Sequence, residues 1–186
     1  MKYLIAGLGN VGPEYELTRH NIGFLTLDRL ADIKKVGFEL SRHAFIGDFR
    51  FKGKRFYLVK PTTYMNLSGK AINYWLQELK IPVKNMLVVV DDIALPYGKI
   101  RIREKGSSAG HNGLENIEKV IGTNAYQRMR IGIGDDFNKG RQVDYVLSRF
   151  DKDEIEELPF ILDKACEAIL SFGTVGIERT MNFYNG

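Results

Sequence analysis

The sequence contains one cysteine, Cys166, among its 186 residues, which rules out an internal disulfide and a metal site built on several cysteines. Cys166 lies in an apolar-periodic segment and has no nucleophile motif around it. We therefore predict a buried structural side chain. So little cysteine favours a protein of the reducing cytoplasm.

Long apolar runs are also missing. No stretch approaches the roughly 20 apolar residues that span a bilayer. The apolar start, residues 1–6, is interrupted by Gly7 before a signal-peptide core of useful length has formed. We expect neither a membrane segment nor export.

An excess of one charge is nearly absent, because 27 lysines and arginines face 23 acidic residues, for a net charge of +4. This permits a polyanionic partner without requiring one, so the placement of the basic residues matters more. Lys99, Arg101 and Arg103 alternate with isoleucines, and Arg128 and Arg130 also alternate with apolar residues. Each set should occupy one face of a strand, either as a phosphate site or as a solvated sheet edge.

Several catalytic motifs are missing as well. The loop 106–113 looks suited to phosphate, but it lacks the Gly-Lys-Ser/Thr ending of a nucleotide-binding loop. No Gly-x-Ser-x-Gly elbow presents a serine nucleophile. The three histidines, His20, His43 and His111, lack the spacing of metal ligands, so we predict no metal, with His43 as a bystander.

Strand and helix patterns alternate along the chain. They predict one α/β domain over residues 1–186, with a mixed twisted sheet flanked by helices on both faces. The expected strands cover 3–6, 45–51, 55–59, 86–90, 99–103 and 128–133, and the expected helices cover 21–34, 66–81 and 112–120. Asp151 and Glu154 have capping-box spacing and open a helical final third, which Pro159 should kink or break.

The segment Gly7 to Gly12 matches the dinucleotide fingerprint Gly-x-Gly-x-x-Gly and follows a strand. The third glycine of that fingerprint should lie in a helix that starts at the loop. Here Pro13 to Glu16 follow, and the next helix start is near residues 18–21. A nicotinamide-dependent oxidoreductase therefore stays a rival hypothesis that rests on this loop alone.

Three polar residues should meet at one sheet edge. Asn10 follows the first strand, Asp91 ends the buried strand 86–90, and His20 lies in the polar patch 18–21 near a strand-end loop. The carboxyl ends of strands line the ligand crevice of open α/β sheets. For His20 alone, a histidine that bonds to backbone at a helix start is the simpler alternative.

Such a set suits ester hydrolysis. A neutral imidazole takes a proton from water near pH 7, and a carboxylate on its other nitrogen fixes the tautomer. Carboxamides hold a carbonyl oxygen or a water without adding titratable charge. Asn66 and Asn112 add two amides where helices begin, although plain helix capping would also explain them.

Taken together, these patches resemble the bacterial peptidyl-tRNA hydrolase family, in family order and over residues 1 to about 135. The matching blocks are Gly7-Leu8-Gly9-Asn10, Tyr15 with Thr18 to Gly23, Lys60 to Gly69, Asp91-Asp92 with Leu95-Pro96 and Gly98, Gly110 to Leu114, and Arg128 to Gly134.

The resemblance implies an enzyme that cleaves the ester between a peptide and tRNA without metal or cofactor. His20 is implied to be the general base, Asp91 to orient it, and Asn10 to contact the esterified end and favour N-blocked substrates. The residues implied to line the channel for peptide and 3′ adenosine are Tyr15, Tyr64, Asn66 and Asn112, with His111 placed beside them. Arg103 and Arg130 would clamp the 5′ phosphate of the acceptor stem. We expect a cytoplasmic monomer.

The sequence departs from the family pattern at three places. Val11 replaces a usual proline, Ala94 replaces a common aspartate, and residues 107–109 replace a more glycine-rich run. These changes bear on loop rigidity and rate and remove no implied catalytic group. A non-catalytic RNA-binding relative, like the organellar splicing-factor cousins, is disfavoured because His20, Asp91 and the asparagines are present.

Overall fold

The computed structural model describes residues 1–185, and seven strands in it form one mixed sheet in the order β2-β3-β4-β1-β5-β7-β6. The strands are β1 (Lys2–Gly7), β2 (Glu39–Ser41), β3 (Ala44–Phe51), β4 (Lys54–Pro61), β5 (Met86–Asp92), β6 (Ile100–Arg103) and β7 (Gln127–Gly132). The α-helices are α1 (Ile22–Lys34), α2 (Ser68–Glu78), α3 (Asn112–Ile121), α4 (Gln142–Val146), α5 (Lys152–Val175) and α6 (Ile177–Tyr184). Among the described residues, none of these helices has the length and apolarity needed to cross a bilayer.

The centre of the sheet is parallel. Strand β1 pairs in parallel with β4 and β5, and β5 pairs in parallel with β7. Residues 86–90 of β5 are fully buried, as a central strand covered on both faces requires. Strands β3 and β6 are antiparallel to their neighbours β4 and β7. The carboxyl ends of β1, β5 and β7 therefore meet at one edge of the sheet.

A separate apolar core covers each face of the sheet. On one face, Ile5 and Val89 pack with residues of α1 and α5. On the other face, Ala6 and Val88 pack with residues of α2 and α3. Because successive strand residues point to opposite faces, β1 and β5 contribute to both cores. The predicted sheet with helices on both faces is confirmed.

The structure differs from the sequence-based expectations at three elements, of which α4 was not predicted and the other two are β2 and α5. The short strand β2 extends the hairpin and was not predicted, because three exposed residues with one apolar side chain are too few to show a strand pattern. Helix α5 runs through Pro159, so this proline does not break it. Pro159 and Ile155, whose carbonyl loses its helical donor, both lie on the exposed side. The predicted capping box of Asp151 and Glu154 is confirmed.

Gly7 of the fingerprint segment and Gly23 of α1 allow close packing between β1, α1 and β5. A Cβ atom at Gly7 would lie 2.3 Å from the carbonyl oxygen of Gly23, and one at Gly23 would lie 2.5 Å from that of Val89. The segment leads into a short 3-10 helix, Pro13–Tyr15, and α1 begins only at Ile22. No α-helix starts at the loop, so the geometry of a dinucleotide site is missing from this described segment.

Cys166 is buried, with 2% of its surface exposed, and its Sγ lies 3.5 Å from the carbonyl oxygen of Thr26. Burial raises the pKa of its thiol to about 12, which makes a thiolate nucleophile at neutral pH unavailable. The predicted structural role is confirmed.

Candidate active site

Asp91 lies at the carboxyl end of β5, between two imidazole rings. Its Oδ2 atom is 2.8 Å from Nδ1 of His20, and its Oδ1 atom is 2.9 Å from Nε2 of His111. Only 4% of Asp91 is exposed. The ring centroids of the two histidines are 5.1 Å apart. The structure therefore brings together a His–Asp–His cluster from three distant parts of the chain.

His20 is held by a short 3-10 helix, Arg19–Asn21, that precedes α1. Its Nδ1 bonds to the carboxylate of Asp91 and not to backbone, so the simpler helix-start alternative is wrong. Its other ring nitrogen, Nε2, makes no hydrogen bond to any described residue, and the ring lines a cavity. This leaves Nε2 free to accept a proton from a molecule in that cavity.

The neighbouring Arg19 fixes the position of this short helix. Its buried guanidinium donates to the Ser148 hydroxyl, to the Arg149 carbonyl and to the Glu154 carboxylate, the last at 2.5 Å. It also stacks over the ring of Tyr145, 4.3 Å from the centroid. The segment that carries His20 is thus tied to the start of α5.

Electrostatics keep Asp91 ionised. Its burial favours the neutral acid, but the two imidazoles outweigh that effect and hold the pKa of Asp91 well below its usual range. For His20, burial lowers the pKa, and the attraction and hydrogen bond of Asp91 outweigh it, so the pKa is raised above its ordinary value. The result is a base whose proton affinity is increased by a permanent anion.

His111 has a fixed tautomer because it caps α3. Its Nδ1 accepts from the backbone N–H groups of Gly113 at 3.1 Å and Leu114 at 3.4 Å, so the ring proton must lie on Nε2. Nε2 then donates to Asp91. The sequence placed His111 among substrate-binding residues, and the structure adds direct contact with Asp91. The combination of a histidine just before a helix and a strand-end aspartate is the signal that could have found it.

The cluster also bears on metal binding. His20, Asp91 and His111 offer ligand atoms that lie within 4.8 Å of one another, so these histidines do cluster although their spacing gave no sign of it. Nε2 of His111 carries a proton, and binding a metal there would require the ring to give up both capping bonds. The arrangement fits a hydrogen-bonded His–Asp–His cluster better than a set of metal ligands.

Asn10 reaches the same edge from the loop after β1. Asn21 holds its backbone on both sides: the Asn21 amide donates to the Asn10 carbonyl at 2.9 Å, and Asn21 Oδ1 accepts from the Asn10 N–H at 2.8 Å. Asn21 is only 2% exposed. With its backbone held in this way, Asn10 lines the same cavity as His20. The positioning role of Asn21 was missed.

The cavity next to His20 has a volume of about 270 Å³. Asn66 and Asn112 line it, and neither caps a helix, since Leu67 precedes α2 and His111 caps α3. The capping alternative for both asparagines is therefore wrong. One side of the cavity is lined by residues of α4 and the residue after it: Gln142, Val143, Val146 and Leu147. No sequence motif pointed to these residues.

The two tyrosines lie outside this cavity. Tyr64 is 80% exposed, just before Met65, which does line the cavity. Tyr15 is half-buried in the 3-10 helix after the glycine segment. Among the described residues, neither tyrosine side chain makes a hydrogen bond to the His–Asp–His cluster.

The basic residues of β6 and β7 share one sheet face. In the register, Arg101 pairs with Arg130 and Arg103 pairs with Arg128. Arg103 is exposed, whereas Arg130 is 9% exposed, donates to the Ser107 carbonyl at 2.6 Å and lies 4.0 Å from Asp92. Arg130 thus holds the loop 106–111 beside the cavity.

Arg128 fits neither a phosphate site nor a solvated sheet edge, because it is fully buried. Its guanidinium donates to the carbonyls of Gly106, Asn124 and Tyr126 and contacts the carboxylate of Glu118. The alternation that marked it as a strand residue could not distinguish an exposed arginine from a buried one.

The family model for peptidyl-tRNA hydrolase matches residues 4–186. The chain belongs to the peptidyl-tRNA hydrolase family. A peptidyl-tRNA hydrolase from Cytophaga hutchinsonii is 57% identical over 185 residues, which cover 100% of this chain and 98% of that protein. One from Porphyromonas gingivalis is 54% identical, with 100% of both chains covered.

A solved structure supports the same assignment. The crystal structure of peptidyl-tRNA hydrolase from Acinetobacter baumannii superposes with a TM-score of 0.92 at 33% identity, covering 99% of this chain and 94% of that one. The match to the family extends through α5 and α6, beyond the residues whose motifs suggested a peptidyl-tRNA hydrolase. The final third, which carries Glu154 and the contacts to Arg19, is therefore part of the family fold.

Proposed function

We propose that the chain hydrolyses the ester bond between peptide and tRNA, with His20 as general base and Asp91 as the carboxylate that orients it. Hydrolase activity follows from membership of the peptidyl-tRNA hydrolase family. The observation that carries the residue roles is the cavity-facing Nε2 of a histidine whose Nδ1 bonds to a buried, ionised aspartate.

In the proposed reaction, Nε2 of His20 takes a proton from a water molecule as its oxygen attacks the ester carbonyl. Asp91 stabilises the imidazolium that forms. Collapse of the tetrahedral intermediate breaks the bond to the ribose oxygen, which takes the proton back from His20. The products are a peptide with a free carboxylate and tRNA with a free terminal hydroxyl.

His111 acts on this reaction through Asp91. Its neutral ring donates one hydrogen bond to the carboxylate, and its capping bonds prevent it from offering the other tautomer. Asp91 therefore remains an anion with a fixed orientation. His111 is a positioning residue in this scheme and does not itself carry the transferred proton.

The asparagines supply uncharged hydrogen bonds to the substrate. Asn10, Asn66 and Asn112 line the cavity, where they would bind the ester carbonyl, the peptide amide and the terminal adenosine. Asn10 would recognise the amide of an N-blocked residue, which a free amino group lacks.

Recognition of tRNA would use the basic face of β6 and β7. Arg103 supplies an exposed guanidinium for the 5′ phosphate of the acceptor stem, and Arg130 adds positive charge while it fixes the adjacent loop. Tyr15 and Tyr64 would stack near the 3′ end after tRNA binds. We further propose that the enzyme is a cytoplasmic monomer, and light scattering of the free protein would check the monomeric state.

The direct test is release of N-acetylaminoacyl groups and peptides from tRNA by purified protein, with and without NAD and after exhaustive chelation. We expect hydrolysis that needs neither NAD nor metal and that is lost in His20→Ala. A folded protein that binds tRNA but does not cleave the ester would instead favour the non-catalytic RNA-binding alternative. Loss on chelation, restored by zinc or manganese, would overturn the proposed base.

A further inference from the structure

A second cavity, of about 590 Å³, adjoins the cavity next to His20, which we call the active-site cavity, and Asn10 lines both. We call it the α1 pocket because it lies between the loop after β1, helix α1 and the β3–β4 hairpin. Its apolar wall consists of Val11, Leu17, Phe24, Leu25 and Phe45. The volume is within the range of pockets that bind small ligands or short peptide segments, about 300–1,000 Å³.

The charges in the α1 pocket do not suit RNA. The ammonium of Lys60 lies 2.5 Å from the carboxylate of Asp28 and is surrounded by aromatic rings, with Phe38 at 4.2 Å and Phe45 at 5.6 Å. Its charge is thus already compensated. Glu16 adds a further, unpaired carboxylate to the same wall. The pocket holds one cation against two anions, which would repel a phosphate backbone.

The pocket also presents apolar surface to solvent. Val11 is 47% exposed and Leu17 is 36% exposed, although both belong to a concave wall. A ligand with apolar groups would bury these side chains, at a gain of roughly 25 cal/mol for each Å² removed from water.

The sheet order separates this pocket from the basic strands. Asp91 ends the central strand β5, with β7 and β6 on one side and β1, β4 and β3 on the other. The exposed arginines of β6 lie on the first side, and Phe45 and Lys60 of the α1 pocket lie on the second. A substrate with RNA at one end and peptide at the other would therefore extend in opposite directions from Asp91.

We propose that the α1 pocket binds the part of the peptide that precedes the esterified residue, with a preference for apolar side chains. This rests on the proposed function, since it requires peptidyl-tRNA as the substrate. Asn10 would hold the amide of the esterified residue, and the chain would continue past it into the pocket. Asn21 supports this path because it fixes Asn10 and also lines the pocket.

The test uses three substrates that share one tRNA and one esterified residue. The first carries only an acetyl group on that residue, the second an acetyl-Leu-Leu extension and the third an acetyl-Asp-Asp extension. For the wild-type protein we expect KM to be roughly tenfold lower for the Leu-Leu substrate than for the other two, an effect within reach of burying one leucine. Leu17→Asp should abolish this difference.

A matched control and a second variant test whether the loss of preference is specific to residues of the pocket wall. Val175→Asp replaces an exposed valine at the end of α5, outside the pocket, and should preserve the tenfold preference. Val11→Asp changes a second exposed wall residue and should reduce the preference as Leu17→Asp does. If both wall variants unfold, the ratios of the wild-type KM values for the three substrates still test whether the protein prefers an apolar peptide.

Three results would overturn the proposal. The first is equal KM values for the three substrates with the wild type. The second is an unchanged preference for the Leu-Leu substrate in both folded wall variants. The third is weaker inhibition of those variants by deacylated tRNA, which would place RNA in the pocket. Failure of the wild type to cleave even the acetylated single-residue substrate would instead overturn the proposed function.

Discussion

Asp91 and Arg128 are both buried charges on neighbouring strands of the same sheet, and their partners differ. Arg128 is surrounded by backbone carbonyls and one glutamate, which leave no functional group facing a cavity. Asp91 bonds to two imidazoles, one of which presents a free nitrogen to the active-site cavity. A buried charge whose partners face no cavity supports the fold, whereas one that holds an imidazole at a cavity can support catalysis.

The largest expected effect separates the two regions directly. His20→Ala should lower kcat at least about 100-fold, the contribution of a general base, while the melting temperature changes little. Steady-state hydrolysis of peptidyl-tRNA and thermal unfolding measure the two quantities. Turnover near the wild-type value in a folded variant would contradict the assignment of the base.

The opposite pattern is expected at Arg128. Arg128→Met should reduce the free energy of unfolding by about 2–4 kcal/mol, because several carbonyls and Glu118 lose their donor. Urea unfolding measures this loss. At a temperature where the variant is folded, its kcat should remain within a few-fold of wild type. A catalytic loss as large as that of His20→Ala would remove the distinction between the regions.

Asp91→Asn should act through the pKa of His20. The attraction of Asp91 raises that pKa, so removing the charge should lower it and move the acidic limb of the kcat/KM–pH profile to lower pH. The maximum should fall as well, because the imidazolium loses its counter-charge. An acidic limb at the wild-type position would make Asp91 a purely structural residue.

His111→Phe should produce a smaller shift of opposite sign. Without the hydrogen bond from Nε2, the Asp91 carboxylate is less stabilised and attracts the His20 proton more strongly, so the acidic limb should move to higher pH. We expect kcat to fall roughly tenfold, the size of a lost supporting contact. A structural defect alone would lower the rate without moving the acidic limb to higher pH.

The smallest expected effect concerns the exposed arginine of the basic face. Arg103→Ala should raise KM a few-fold with little change in kcat, because a distant phosphate contact binds ground and transition states alike. The salt dependence of binding should flatten by a slope of about 0.7–0.9. Arg50→Ala, an exposed arginine on β3, provides the control. If Arg103→Ala raises KM equally for a 3′ fragment that lacks the 5′ phosphate, Arg103 does not bind that phosphate.

The sequence predicted the parts of this molecule that depend on local pattern. The alternation in β3 and β6, the apolar run of β5 and the capping box at Asp151 all correspond to elements in the structure. The convergence of Asn10, His20 and Asp91 followed from a topological rule on strand ends, and the structure places all three at one edge.

What the sequence could not predict depends on long-range contacts. The bond of His111 to Asp91 and the burial of Arg128 are set by which loops pack above β5 and β7, which alternation does not report. The approach of α4 to the cavity is equally non-local. Pro159 was overestimated as a helix breaker because the buried side chains of α5, among them Leu158 and Leu162, continue their contacts on both sides of it.

The central claim is that His20 is the titrating base and His111 is its neutral support. Nitrogen-15 NMR of labelled histidines, recorded across the pH range of the kcat/KM profile, tests it most directly. We expect His20 to titrate with a pKa above its ordinary value and in step with the rate, while His111 keeps its proton on Nε2. If His111 titrates with the rate and His20 does not, the account is contradicted.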